Sequence, residues 1–261
     1  MNPTTLQLLF SLVFGLILGS FLNVCIHRIP LGKSIVYPPS SCPACHSAIR
    51  FYDNIPLVSY IVLLGRCRSC RSRISLRYPV VELTTGLLSA ALFLRYGLSL
   101  YYFLLLVFCA SLLVIAFIDI DYKIIPDVLS LPGILVGFGV SLLPMTPVSV
   151  LESAIGILLG GGSLYVVGVL YQWIRKQEGM GGGDVKLLAM IGAWMGWKSL
   201  PMIILLSSFA GTLIGGGCLL LSRRRLSEAI PFGPFLVLGT FLWLFFRTEI
   251  HLLWNSYLHL P

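Results

Sequence analysis

Six long apolar runs constrain the fold of this chain more than any other feature of its sequence. They cover residues 6–24, 96–118, 128–151, 153–174, 199–222 and 229–246. A helix needs about 20 apolar residues to cross the hydrocarbon core of a bilayer. Only 11% of the residues are charged and the mean hydropathy is +0.93, whereas a soluble domain carries about 25% charged residues. The chain is therefore predicted to be an all-α, polytopic membrane protein that lies mainly in lipid.

Two further apolar runs are short or interrupted, and the distribution of Lys and Arg residues indicates whether they cross the membrane. The run 78–94 contains Glu82, and the run 187–197 is short. If both runs cross, about eight helices span the membrane with both chain ends outside. All but three of the 18 Lys and Arg residues then face the cytoplasm, the exceptions being Arg95, Lys198 and Arg247. Cytoplasmic loops are enriched in Lys and Arg, so eight spans are expected. The net charge of +8 then indicates basic loops facing the cytoplasm and anionic lipid rather than nucleic acid.

The runs divide the chain into four segments. Residues 1–26 form a first span, 27–79 a cytoplasmic insert, 80–247 a membrane core and 248–261 a tail. The tail carries Trp254 and Tyr257 and is expected in the outer membrane interface, which such rings favour. Glycine triplets at 160–162 and 215–217 are expected to let helices pack closely.

Four of the seven cysteines predict a metal site in the insert. Two CxxC pairs are separated by 21 residues, and they consist of Cys42, Cys45, Cys67 and Cys70. Two such pairs can complete a tetrahedral four-thiolate zinc site, and a closed site of this kind is structural. The alternative, free or disulfide-bonded thiols, is disfavoured because the insert is expected to face a reducing cytoplasm. His46 adjoins the first pair and is interpreted as a surface residue.

Two aspartates near the ends of membrane spans are the candidate catalytic residues. Asp119 follows the run 96–118, and Asp184 follows three glycines just before the run 187–197. Both lie at the cytoplasmic face in the eight-span topology. Ionisable groups at membrane depth are functional candidates, and two carboxylates that share a proton can activate a water, as in aspartic proteases.

The same carboxylates also have structural interpretations. Asp119 and Asp184 could be helix caps, or ion-pair partners of Lys123 and Lys186. Asp127 follows Pro126 at the start of a span and is interpreted as an N-cap. Asp121 is interpreted as a solvated loop residue.

These motifs together resemble the type IV prepilin peptidases, which are intramembrane aspartyl proteases of the GxGD kind. Gly181-Gly-Gly-Asp184 resembles GxGD, and Asp119, six residues and then Pro126-Asp127 resembles the first aspartate motif. The remaining matches are Gly19-Ser-Phe-Leu-Asn23-Val, His27-Arg28-Ile-Pro30, both CxxC pairs, Asp53-Asn54-Ile-Pro56-Leu, Gly65-Arg-Cys67, Ile74-Ser75 and Arg77-Tyr78-Pro79-Val-Val-Glu82-Leu. The resemblance extends from about residue 15 to residue 197, with the motifs in order.

The resemblance implies a bifunctional enzyme of the bacterial inner membrane. Its substrates would be type IV prepilins or pseudopilins. The enzyme would cut a short basic leader after glycine on the cytoplasmic side and then methylate the new N-terminal residue, usually phenylalanine. S-adenosylmethionine would be the methyl donor, and the cysteine-bearing insert is associated with that activity. No glycine-rich dinucleotide-type fingerprint identifies the donor site, so its residues are not predicted.

Three other function classes are considered. A transporter or channel also carries acidic residues in its spans, but near the midplane rather than at one face. A non-catalytic assembly factor of a secretion apparatus has no need of both aspartates. A methyltransferase without peptidase activity is a third possibility.

Overall fold

The computed structural model describes residues 3–176, 181–215, 217 and 231–258, and this part of the chain is almost entirely helical. Its nine α-helices are α1 (Pro3–Arg28), α2 (Val58–Val62), α3 (Arg77–Tyr96), α4 (Leu100–Tyr122), α5 (Asp127–Ser141), α6 (Val150–Arg175), α7 (Gly182–Met195), α8 (Leu200–Ala210) and α9 (Gly233–Leu258). Within these residues, extended pairing is limited to two isolated antiparallel bridges, Ser41–Ala48 and Arg66–Arg73.

All of these helices except α2 correspond to the predicted spans, in the same order. Five of them are long and apolar enough to cross a membrane: α1, α4, α6, α9, and α8 taken with its flanking turns. The prediction of an all-α, multi-pass membrane protein is thus confirmed. Helices α5 and α7 have 15 and 14 residues, or about 21–23 Å, which is less than the ~30 Å of a bilayer core. That these two and α3 also cross, and which side each loop faces, remain predictions.

Several boundaries differ from the predicted ones for local reasons. Helix α5 ends at Ser141 instead of continuing to residue 151, because Pro144 and Pro147 cannot continue a helix. Helix α6 then starts with a capping box. The Ser149 hydroxyl accepts a hydrogen bond from the Glu152 N–H (3.3 Å), and the Glu152 carboxylate accepts one from the Ser149 N–H (3.2 Å). This reciprocal pair satisfies two donors at the start of the helix.

The last helix is longer than predicted. Helix α9 is kinked at Phe246 (φ −125°) and continues to Leu258, so the described part of the expected tail is helical. The side chains of Trp254 and Tyr257, and the basic residues 223–225 used in the topology argument, lie outside the described residues.

The chain divides into two compact units within α4, after Val114. In the N-terminal unit, α1 and α3 pack closely together. The Ser89 hydroxyl donates to the Ser11 carbonyl (2.6 Å), and the Asn23 amide donates to the Tyr78 carbonyl (3.1 Å). A methyl group on Gly19 would lie 2.7 Å from Cα of Glu82, so small residues permit this approach.

In the C-terminal unit, α7 packs against both α5 and α6. The Trp194 indole N–H donates to the Gly133 carbonyl of α5 (2.9 Å). On the α6 side, Gly156 faces Gly192, and a methyl group on Gly160 would lie 2.5 Å from the Leu188 carbonyl oxygen. The first glycine triplet is thus used for packing at Gly160, whereas no atom of the described part of the chain lies within 4 Å of the Cβ position of Gly162. These contacts fix the position of α7, and the first turn of this helix carries Asp184.

Candidate active site and metal centre

Asp119 lies near the C-terminal end of α4 and is almost completely buried, with 5% of its surface exposed. Its Oδ2 accepts a hydrogen bond of 3.1 Å from the backbone N–H of Gly233, the first residue of α9. The first N–H groups of a helix have no partner within the helix and favour a negative charge. A methyl group on Gly233 would lie 2.5 Å from the same carboxylate oxygen, so this contact requires glycine.

Asp184 is the third residue of α7 and is partly buried. Its Oδ1 is buried, and no hydrogen-bond partner for it is found in the described structure. Gly181 is the N-cap of α7, and no side chain caps that end. The alternative that Asp184 is a structural cap of α7 therefore receives no support.

Ile125 packs against Gly183, which precedes Asp184, and against Gly233, whose N–H binds Asp119. Its Cβ lies 2.9 Å from the position of a methyl group on Gly183, the residue before Asp184, and its Cδ1 lies 3.4 Å from the corresponding position on Gly233. The carboxyl groups of Asp119 and Asp184 are close enough to interact electrostatically. The structure thus brings together the two aspartates that the sequence proposed as a pair, although 65 residues separate them in the sequence.

The neighbouring carboxylates have different environments. Asp127 is the first residue of α5, whose N-cap is Pro126, so the interpretation of Asp127 as the cap is wrong. Its two oxygens instead accept hydrogen bonds of 2.7 and 2.9 Å from Nζ of Lys186. Lys186 is thus paired with Asp127 rather than with Asp184. Asp121 is exposed, as expected, but it lies in the last turn of α4 rather than in the loop that follows.

Sequence reasoning missed Gly233 and Ile125. Gly233-Pro234 at the start of an apolar run is a pattern typical of a helix start. It could have located the start of α9, but nothing in it points to a carboxylate 114 residues earlier. Ile125 has no sequence signal, because one more apolar residue beside an apolar run carries no information about its contacts.

The four cysteines of the insert come together as predicted. Their four Sγ atoms all lie within 4.8 Å of one another, and the cluster consists of Cys42, Cys45, Cys67 and Cys70. The sulfurs of Cys42 and Cys70 are 3.9 Å apart. A Zn–S bond of about 2.3 Å in a tetrahedron implies sulfurs about 3.8 Å apart. The arrangement therefore fits one zinc ion. His46 is exposed and does not belong to the cluster.

Both CxxC segments adopt the same backbone fold. The N–H of Cys42 donates to the Ser47 carbonyl (3.0 Å), and the N–H of Cys67 donates to the Ser72 carbonyl (2.8 Å). The N–H groups of Cys45 and Ala44 point at the Cys42 sulfur and lower the pKa of that thiol to about 6. The thiolate is the form that binds metal, so the loop prepares the ligand for the ion.

The segment between the cysteine pairs is attached to both the metal site and the membrane helices. The Asp53 carboxylate accepts hydrogen bonds of 2.6–3.1 Å from Arg68, which lies between Cys67 and Cys70. This guanidinium lowers the pKa of Asp53. On the membrane side, Glu82 of α3 is buried and accepts a 2.8 Å hydrogen bond from the Leu57 N–H. Glu82 therefore anchors the insert rather than merely interrupting a span.

The fold and these two sites define a class of protein: a multi-pass helical membrane protein with a pair of aspartates, one buried and one partly buried, and a separate four-cysteine centre. Two family models match the chain in sequence order. The bacterial peptidase A24 N-terminal domain matches residues 13–96, and the type IV leader peptidase family matches residues 106–216. No solved structure matches the chain significantly.

Curated relatives match over nearly the whole chain. A prepilin leader peptidase/N-methyltransferase from Burkholderia pseudomallei is 39% identical, and the match covers 96% of this chain and 89% of the relative. Proteins of the same name from Pseudomonas putida (38%, covering 92% and 90%) and Aeromonas hydrophila (39%, covering 89% of each) are also similar. The chain belongs to the type IV leader peptidase family. The resemblance found in the sequence is thus confirmed, and with it the enzyme class.

Proposed function

We propose that this protein removes the leader of type IV prepilins or pseudopilins at the cytoplasmic face of the bacterial inner membrane, and then N-methylates the new N-terminus. Asp119 and Asp184 form the catalytic dyad. The observation that carries this proposal is their pairing: two carboxyl groups from different helices lie in one buried place, one held by a backbone N–H and the other with an unpartnered oxygen. Curated relatives of this chain carry both activities in their name.

The dyad suits peptide hydrolysis because two nearby carboxyl groups do not both ionise readily and therefore share a proton. The ionised group takes a proton from the attacking water. The protonated group donates a hydrogen bond to the scissile carbonyl and then a proton to the leaving amine. The N–H of Gly233 holds Oδ2 of Asp119, which leaves its other oxygen for the water. Oδ1 of Asp184 has no protein partner to displace.

The glycines before Asp184 carry no side chains and have few described neighbours. No described atom lies within 4 Å of the Cβ position of Gly182, and only a backbone nitrogen at 4.0 Å is near that of Gly181. An extended substrate backbone can therefore come close to Asp184, since glycine leaves the backbone unblocked. This is the role we assign to the glycines of the GxGD segment.

The four cysteines hold one structural zinc ion. All four ligands come from the protein, which leaves no open position for a substrate or water. The ion links two loops of an insert that contains little secondary structure and that could not otherwise bury a core of its own. The methyl donor is S-adenosylmethionine, which supplies an activated methyl group when bound.

The test is leader removal by single-aspartate variants. Wild type, Asp119→Asn, Asp184→Asn and the double variant are each co-expressed with a prepilin, and the product is sized and its N-terminus sequenced. Each single variant should lose cleavage, and the double variant should be no worse, because groups that act as one unit are not additive. Asparagine keeps the size of the side chain, so zinc content and chromatographic behaviour should not change.

Asp121→Asn is the matched control, because Asp121 is an exposed carboxylate on the same helix end as Asp119. It should cleave normally. Full processing by either Asp119→Asn or Asp184→Asn would rule out the dyad, and a loss confined to Asp121→Asn would identify a different carboxylate as the catalytic one.

A further inference from the structure

A cavity of about 660 Å³ lies in the N-terminal unit between one side of α1 and the loops of the insert. The α1 side is lined by residues from Val13 to Arg28, which are about 22 Å apart along the helix. The insert side is formed by residues 35–40 and 54–58. A cavity of this size is typical of small-molecule and cofactor sites.

The two ends of the cavity differ in chemistry. Along α1 the walls are apolar, with Val13, Ile17 and Phe21. At the end of α1 the lining becomes polar, with Arg28 and Asn54. One end therefore suits an apolar group at membrane depth, and the other suits a polar, water-soluble group that arrives from the side of the insert.

Arg28 is held in place but not neutralised. Its two terminal nitrogens donate hydrogen bonds of 2.9 and 2.7 Å to the carbonyls of Ser34 and Pro38. Neither partner is charged, and no carboxylate pairs with Arg28 in the described part of the chain. A half-buried guanidinium fixed in this way retains N–H donors for an anion, and a carboxylate is the anion that its planar fork binds best.

A hydrogen bond behind the cavity attaches the insert to the neighbouring membrane helix α3. The Glu82 carboxylate accepts a 2.8 Å hydrogen bond from the Leu57 N–H, and Leu57 lies between Pro56 and Val58 of the insert wall. Helix α3, which carries Glu82, packs closely against α1. The Glu82 contact therefore attaches the insert wall to the pair of helices that includes the α1 wall.

We propose that this cavity is the methyl-transfer site. The proposal rests on the N-methyltransferase activity in the proposed function. Arg28 binds the carboxylate of the donor's amino-acid part, and the apolar wall of α1 binds the side chain at the N-terminus of the membrane-anchored acceptor. The neutral N-terminal amine attacks the donor's methyl carbon; an N–C bond forms, the C–S bond breaks, and its electron pair stays on sulfur. The amine then loses one proton to water at the open side of the cavity.

The test uses two ligands that share the adenosine and the sulfur and differ in the amino-acid part, whose carboxylate Arg28 is proposed to bind. S-adenosylhomocysteine keeps the amino-acid part, and methylthioadenosine lacks it. Binding of each to the full-length protein in detergent is measured by calorimetry. Arg28→Gln should weaken S-adenosylhomocysteine about 10- to 100-fold, the range expected for a lost charge-assisted hydrogen bond, and should leave methylthioadenosine unchanged. The latter result also shows that the variant is folded.

Two further variants complete the design. Lys33→Gln removes an exposed cation from the same loop and should not affect either ligand. Ile55→Trp, which fills the cavity without changing Arg28, should weaken both ligands. If neither Arg28→Gln nor Ile55→Trp changes binding, or if they release a co-purified anionic phospholipid instead, the cavity is not the donor site. Wild type that cleaves but never methylates a prepilin would overturn the methyltransferase function itself.

Discussion

The backbone N–H of Gly233 donates a 3.1 Å hydrogen bond to Oδ2 of Asp119, although 114 residues separate them. The contact joins the end of α4 to the start of α9. It places an unpaired helix-terminal donor on a buried carboxylate, which is a favourable position for a negative charge. Gly233 is therefore a positioning residue of the proposed dyad.

We expect Gly233→Ala to reduce leader cleavage strongly. The added methyl group would lie 2.5 Å from the Asp119 oxygen, so the carboxylate or the start of α9 must move, and a displacement of about 1 Å can cost roughly 100-fold in rate. Gly139→Ala on α5 is the control, since no atom of the described residues lies within 4 Å of its Cβ position. Normal cleavage by Gly233→Ala would show that Asp119 needs no such positioning.

Gly183→Ala should impair cleavage through Ile125, and a second substitution should reverse the effect. The new methyl group would lie 2.9 Å from Cβ of Ile125, and crowding of this kind costs about 1–3 kcal/mol. Removing the Cβ of the neighbour in Gly183→Ala/Ile125→Gly should recover much of the activity, measured as the initial rate of leader removal. If the double variant is no faster than Gly183→Ala, the crowding is not at Ile125. The single variant Ile125→Gly provides the baseline.

The ion pair between Asp127 and Lys186 should contribute little to stability. Both side chains are well exposed, at 56% and 39%, and exposed pairs typically contribute about 0–1 kcal/mol. Asp127→Asn and Lys186→Gln should therefore each shift the thermal midpoint only slightly, and the double variant should be no worse than either. A much larger loss in Asp127→Asn alone would indicate a second role for this carboxylate.

Purified protein should contain about one zinc per chain, measured by atomic emission. Cys67→Ser should lose the metal, because a three-thiolate site is no longer closed, and proteolysis should then cut the insert more rapidly. His46→Ala is the matched control: it lies beside Cys45 but outside the cluster, so it should keep its zinc. Retention of a full equivalent of zinc by Cys67→Ser would contradict the four-thiolate assignment.

The features that depend on local order in the sequence were predictable from it. Apolar runs of span length predicted the membrane class and the succession of helices, because lipid requires each backbone segment to satisfy its own hydrogen bonds. The paired CxxC spacing predicted the metal cluster, and the ionisable residues beside apolar runs identified Asp119 and Asp184. The role of these aspartates remains a proposal, but their proximity was expected from their motifs.

Other features were decided only by tertiary packing. The donor on Asp119 comes from Gly233, and Ile125 packs against both Gly183 and Gly233. Lys186 pairs with Asp127 instead of Asp184. In the sequence, Glu82 only interrupts an apolar run, whereas in the structure its carboxylate binds the Leu57 N–H of the insert. Periodicity and spacing describe which face of a helix is apolar and where the helix ends. They do not describe which distant helix packs against it, and at a buried carboxylate that choice determines which atoms are left to bind water or substrate.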